Sequence, residues 1–579
     1  MAEKIVSPGV FTNEIDASFL PAAIGDIGAA IIGPTVKGPV GIPTVVESYG
    51  EYQERFGDSF KSGSNYYTYY TSIAAKNYLQ HAGRLTVVRV AGSTFSPASA
   101  SVPSSASGTS FGLTTLSDGA VLNNSGTIGT NQLLANGTKD NVRWEISTQN
   151  SKKGTFTLVI RAGNDNHKRK NPLETWKDLS LDPNSANYIS KRIGDQYDTF
   201  KSDDGYYLQP TGDFPNKSKY VRVTDIAQTP DYLDENGAIS DVNFTGSLPN
   251  LGSGSIGGAF QGGSDGVKVA DPHQFYGSAT ASANWQGYKL DAGSKTGSDS
   301  FVNALNLLSN DDEYDINMIL MPGVANNVAS HLVSKAIDTA ESRGDTFALV
   351  DPVSKGSMIA DAVSAAETYD SNYSAMYWPW VQVNEPQIGR NVWVPPSTVM
   401  AGVIAFNDKV AHEWFAPAGL NRGGIDTAIQ AERKLTHGNR DTLYDANVNP
   451  LATFPGEGVV AWGQKTLQKK SSALDRVNVR RLLIKVKKFI AASSRFLVFE
   501  QNNASTRTRF LNIANPFLER VQQQSGLTAF KVVMDDTNNT PDLVDRNILY
   551  GQIFLQPTRT AEFIVLDFTV MPTGAAFPE

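Results

Sequence analysis

The sequence predicts a multidomain α/β and α+β protein, in which a discontinuous α/β core carries a β-rich insertion and precedes a C-terminal α+β domain. Three observations predict this. From Phe301 onward, helical patterns alternate with short apolar strands (FVNALNLL, INMILMPG, NNVASHLVSKAIDTAESRG, TFALVDP), the rhythm of a largely parallel sheet covered by helices. After Gly92 the composition turns to Ser, Thr, Gly and Asn with almost no charge until Lys139, the mark of inserted surface material. Beyond Gly456 comes a basic helix, DRVNVRRLLIKVKKFI, followed by apolar strands, a different architecture from what precedes it.

Bulk properties narrow the class. A chain of 579 residues exceeds what one hydrophobic core supports and should divide into several domains. A net charge of -8 supplies no global basic field for nucleic acid or anionic membrane. Without cysteine there is neither a disulfide framework nor a thiolate metal site. The opening MAEKIVSPGVFTNEID is polar and broken by Pro8, so it offers no signal-peptide core, and no apolar run is long enough to span a membrane.

Residues 1–22 read as an arm. Val6, Val10 and Thr12 alternate against Ile5, Phe11 and Ile15, as in an extended strand, while Pro8 and Gly9 restrict it to a sheet edge. Such a strand pairs within its own subunit or joins a neighbour's sheet. Residues 23–92 and 267–455 are expected to form one discontinuous α/β domain, with a helix over NYYTYYTSIAAKNYLQHAG stopped at Gly83. Residues 93–266 form the outward-facing insertion, with a hairpin over VRWEIS, KKG and TFTLVIRAG. The stretch NPLETWKDLSLDPNSANYISKRIG is expected to be a helix, a turn at DPNS and a second helix ending at Gly194.

In the final domain, 456–579, Val479, Leu482, Leu483, Val486 and Ile490 follow the spacing of a buried helical stripe. Arg481, Lys485 and Lys488 lie on a neighbouring stripe. A second helix is expected to begin at Pro516 and stop by Gly526, ahead of strands TAFKVVM, ILYGQIFL and EFIVLDFTV. In the last strand, Leu566 and Phe568 face one way and Phe563 and Val565 the other, so it should be covered on both sides.

Sites for chemistry are sparse. The six histidines show no metal-ligand spacing, and His412-Glu413 fails as a zinc-protease motif because position 416 is Ala416. No nucleophile elbow or phosphate loop occurs, and the Gly-rich GGAFQGGSDG lacks the strand-before, helix-after frame of a phosphate cradle. Arg343-Gly344-Asp345 spells an adhesion tripeptide, but it ends a helix and its glycine reads as a C-cap. No catalytic residue, cofactor or metal is expected.

The segments SPGVFTNEID, IGPTVKGPVG and LTVVRVAG, then LSLDPNSANYI, and the final helix-and-strand domain resemble, in that order, contractile tail sheath proteins of myophages. Related sheaths occur in phage-derived bacteriocins and extracellular injection particles, which stay open as alternatives. The resemblance implies a non-enzymatic subunit that polymerises with itself into a helical cylinder around a tail tube and contracts to drive the tube through the host envelope. It implies tail tube, baseplate and terminator proteins as partners, no direct nucleic acid or membrane insertion, and a place in the virion after assembly in the host cytoplasm. Terminal arms would add strands to neighbouring subunits: Val6, Val10, Thr12 and Ile15 as the donated strand, with Phe563, Val565, Leu566 and Phe568 in the receiving sheet. Arg481, Lys485 and Lys488 would dock on the tube, although a solvated face or a DNA contact would use the same residue types. A competing class, an extracellular enzyme or carbohydrate-binding protein built on 93–266, requires a concave site with convergent polar groups, for which the sequence offers no candidate set.

Overall fold

A computed structural model describes residues 28–62, 65–124, 133–166, 168–251, 258–266, 286–288, 290 and 297–563. The chain divides into two compact units, one spanning Ile27–Lys485 and the other containing Val486–Glu579.

The larger unit is organised on an eight-stranded sheet. Its elements in chain order are β1 (Gly28–Gly33), β2 (Thr44–Val46), α1 (Tyr49–Phe56), α2 (Tyr70–Leu79) and β3 (Leu85–Arg89). After the insertion follow α3 (Ser298–Leu308), β4 (Ile316–Ala325), α4 (Asn326–Arg343), β5 (Phe347–Asp351), α5 (Ile359–Glu367) and β6 (Ser374–Trp378). α6 (Pro396–Val410), β7 (Val448–Phe454) and β8 (Gly458–Ala461) complete it. The strand order is β2-β3-β1-β4-β5-β6-β7-β8. The six strands from β3 to β7 run parallel, with antiparallel β2 and β8 at the two edges. β1, β3 and β5 are buried at every position, as strands covered on both faces must be. The order reverses between β1 and β4, so the carboxyl ends of these strands splay apart there.

Two local features fix this layer. α2 crosses α6 so closely that a Cβ at Gly402 would stand 2.9 Å from the Asn77 carbonyl oxygen, and Asn77 Nδ2 donates to the Thr398 carbonyl at 3.2 Å. At the end of β5, Asp351 accepts from the Ser397 N–H at 3.0 Å and the Gly323 N–H at 3.1 Å, as well as from the Ser397 hydroxyl at 2.6 Å. Burial pushes its carboxyl up to about 6, against the pull of those three donors.

The insertion has a hydrophobic core of its own, in which Phe111 stacks on Phe156 at 5.5 Å among Leu113, Leu158, Ile160 and Val221. Strands Pro97–Pro103, Thr109–Asp118 and Val221–Thr224 make one sheet; Val142–Asn150, Thr155–Ala162 and Pro172–Ser180 make another. The chain enters and leaves at one place, where the Gly92 N–H donates to the Asp265 carbonyl at 3.0 Å. There the fully buried Arg89, the last residue of β3, donates to the carbonyls of Gly38 and Asp118 and to Asp265 Oδ1.

The hairpin expected over VRWEIS and TFTLVIRAG is present, with Trp144 opposite Ile160. The first helix expected in NPLETWKDLS is instead the strand Pro172–Ser180, pairing Trp176 with Leu158. Its helical spacing of charges loses to the open edge of the hairpin, whose main-chain groups need a partner. Further along, Ile189–Ile193 is helical and ends at Gly194, with φ +110°.

The smaller unit holds the end of α7 (Val477–Ser494), then α8 (Ala504–Gln523) and a hairpin of β9 (Leu527–Val533) and β10 (Gln552–Pro557). α8 begins twelve residues before the expected Pro516. The Asn503 side chain accepts from the Thr506 N–H at 3.0 Å and caps it, and Pro516 sits inside the helix. Phe489 stacks on Phe517 at 3.8 Å, and Phe510, Ala514 and Met534 form a small core.

Candidate assembly surfaces

α7 carries the cationic stripe. Along it Val479, Leu482, Ile484 and Val486 are buried, and Leu483 is half-buried. The buried face is wider than the expected stripe and takes in cations. Arg480 lies flat over the Tyr373 ring, 3.6 Å from its centroid. Arg481 is only 6% exposed and grips Asp408 of α6 through both terminal nitrogens, Nη1 to Oδ1 at 2.7 Å. Burial works against its charge, but Asp408, with Glu413 behind it, raises the guanidinium above its ordinary value. Lys485 Nζ meets Glu413 Oε1 at 2.8 Å. Burial alone would raise Glu413, yet Lys485 outweighs it and holds the carboxyl below the usual range. Lys488 is buried as well.

This pair bears on the docking expectation for Arg481. Its fork is filled by a carboxylate of its own domain, and releasing a buried paired charge is costly. Lys485 keeps 36% side-chain exposure but is also held from within the domain. The acidic partners were not legible in the sequence, because Asp408 precedes Arg481 by 73 residues and no periodicity links them.

The β9–β10 hairpin is a two-stranded sheet, with Phe530 opposite Leu555 and Lys531 opposite Phe554. Among the described residues neither strand has a second strand beside it. Phe554, Tyr550, Ile548 and Phe563 are all more than 40% exposed. Between α7 and α8 the loop adds Phe496, Val498 and a fully exposed Phe499, the last in the left-handed region at φ +69°. The apolar run FLVF, between α7 and α8, was the available signal for this patch. Of the expected receiving strand only Phe563 falls within the described residues, at 80% exposure. Val565, Leu566 and Phe568, and Val6, Val10, Thr12 and Ile15 of the arm, lie outside them.

Arg343 bonds Asp345 at 2.9 Å and the carbonyls of Leu308 and Tyr314, so the Arg-Gly-Asp tripeptide is folded onto itself, and Gly344 is a left-handed C-cap. Among the described residues there is no group of three His, Asp or Glu side chains placed to hold a metal ion.

This architecture can be set beside known proteins. Residues 298–467 match the phage tail sheath protein central domain, and residues 469–571 match the phage tail sheath C-terminal domain. Together the two matches cover residues 298–571 except Gln468. The tail sheath protein of Vibrio phage KVP40 is 31% identical over 344 residues, covering 52% of this chain and 50% of that protein. That of Enterobacteria phage T4 is 36% identical over 227 residues, covering 39% of this chain and 33% of that one. The chain thus spans half or less of the length of these curated relatives. The crystal structure of a sheath tail protein from Listeria innocua superposes with a TM-score of 0.52 at 12% identity, covering 89% of this chain and 90% of that one, a likeness of fold. The match to the central domain ends ten residues before α7, and the match to the C-terminal domain spans α7, α8 and the hairpin.

Proposed function

We propose that the chain is a structural, non-enzymatic subunit of a contractile tail sheath, which polymerises helically around a tail tube and shortens to drive the tube through a host envelope. The observation that carries this reading is the succession of the two sheath domains over residues 298–571, with full-length tail sheath proteins as sequence relatives. The open hairpin supports it. A sheet of two strands is marginal by itself, and an added strand from a neighbour satisfies its main-chain groups whatever the side chains. Each such hydrogen bond nets about 1 kcal/mol, so an arm making several would keep subunits linked during a large rigid-body movement. A contact of this kind is heterologous and non-closing, which generates a tube.

In this reading Val6, Val10, Thr12 and Ile15 form the donated strand, and the hairpin with Phe563, Val565, Leu566 and Phe568 receives it. Tube docking falls to α7 at Lys485, with Arg481 removed from the set and Lys488 disfavoured by its burial. Baseplate and terminator proteins would cap the cylinder, within a virion tail assembled in the host cytoplasm. Electron microscopy of the purified chain tests this: tubes or stacked rings are expected, and a chain lacking residues 1–20 should stay folded yet monomeric. Persistently dispersed full-length protein would refute the polymer; normal tubes from the truncated chain would refute the arm.

A further inference from the structure

Between the insertion and the core lies a cleft of about 1190 Å³, larger than most small-molecule sites. It is lined by residues of the loop that follows β1, from Lys37 to Ile42, and by Thr44 of β2. One wall is the loop Lys37–Ile42, α1 and the first turns of α3; the other is the insertion's 197–200 strand and the 216–222 segment.

The charges on these walls are unequally spent. Asp140 faces Lys37 at 3.5 Å, Glu51 pairs with Arg55 at 3.0 Å, and Glu54 accepts from the Tyr220 hydroxyl at 3.0 Å. Asp58 accepts from the Tyr49 hydroxyl at 2.7 Å, and Asp118 from the Val40 N–H at 2.9 Å. Asp198 is the wall carboxylate left over. The cations differ. Arg222 is half-buried and stacked 4.4 Å over the Tyr197 ring, and among the described residues it has no ion-pair partner; Lys139 and Lys219 likewise have none. Lys217 donates only to a neutral carbonyl, that of Lys191. Desolvation lowers the Arg222 guanidinium and outweighs the opposing pull of Tyr197, Asp118, Asp195 and Asp225, so an anion supplied from outside would offset the remainder.

The neutral lining narrows the anion. Asn164, Asn171 and Asn303 face the cleft with side-chain amides unbonded among the described residues, each offering donors and an acceptor. Tyr197 and Phe95 stand 43% and 41% exposed on opposite stretches of the lining. Partly exposed aromatics, of which Tyr197 has one face under Arg222, together with free amides and a guanidinium suit a chain of sugar rings, whose C–H faces lie on aromatics while hydroxyls meet amides. A carboxylate on such a ring meets the Arg222 fork in two parallel hydrogen bonds. We propose that this cleft binds an acidic oligosaccharide, a carboxylated sugar chain several residues long, independently of whether the protein polymerises.

Isothermal titration of the full chain tests it with three probes: oligogalacturonate hexamer, the neutral maltohexaose, and inorganic phosphate. The uronate hexamer should bind at least tenfold more tightly than either of the others. Arg222→Gln should weaken it tenfold or more. Lys219→Gln, at an exposed rim position that cannot disturb folding, should weaken it by a smaller factor and flatten its salt dependence. Thermal melting of both variants checks that the fold is intact. The proposal is overturned if the hexamer gives no saturable heat, if maltohexaose or phosphate binds as tightly, or if the folded variants bind it like the parent chain.

Discussion

Removing either member of the Arg481–Asp408 pair should unfold the α6–α7 corner before it affects any partner. Arg481 keeps only 7% of its side chain exposed, and Asp408 keeps 26%. Arg481→Met leaves a carboxylate stranded but partly hydrated, which places the loss near the low end of the roughly 3–5 kcal/mol seen when a buried pair is broken. Asp408→Asn leaves a buried guanidinium with Glu413 as its remaining nearby carboxylate, so its loss should be as large or larger. Because the two groups bond each other, the double variant should lose less than the sum, by about 1–3 kcal/mol of coupling. Urea unfolding of the chain and its variants, followed by fluorescence, supplies all four corners of the cycle. Additive losses, or single losses below about 1 kcal/mol, would refute the internal role. A variant of parental stability that failed to mount on the tail tube would return Arg481 to the docking surface.

Other predictions address separate parts of the molecule. Asp351 is raised from 3.8 unfolded to about 6 folded, so the native state holds its proton more tightly. Its contribution should cost about 2 kcal/mol of stability as pH rises from 4 to 6, and Asp351→Asn should flatten that slope in pH-dependent melts. Glu413 has the opposite sign: its lowered carboxyl stabilises above the ordinary glutamate value, and that stability is lost as pH falls through the folded value. Glu413→Gln should remove this acid limb. Gly402→Ala should cost about 1–3 kcal/mol, measured by calorimetry, because the added Cβ meets the Asn77 carbonyl across a helix crossing. In the insertion, the fully buried Arg161 bonds Glu145 at 2.8 Å and Asp165 at 2.7 Å. Arg161→Met should therefore speed hydrogen exchange in Val142–Ala162 by orders of magnitude while leaving β4 and β5 protected.

The periodic elements were legible because their pattern is local. Alternation of 3.6-residue and apolar stretches sufficed for α3 to β6 and for the 142–162 hairpin, and the Gly344 cap needed only its place after a helical run. Misreadings arose where an open edge or a cap competed with propensity: Pro172–Ser180 became a strand because a hairpin lacked its third partner, and Asn503 started α8 well upstream of Pro516. The assembly surfaces were half visible. Basic spacing on α7 could be read, but not that Arg481 was already bound.

From the chain alone followed the change of composition after Gly92 and the resemblance to sheath proteins, since each rests on residues adjacent in sequence. Only tertiary structure decided which charges were spent. Ion pairing depends on distance through space, and the fold brings Asp408 into contact with Arg481 while leaving Arg222 stacked over a tyrosine, with Asp118, Asp195 and Asp225 near enough to act on its charge but none in a close pair among the described residues.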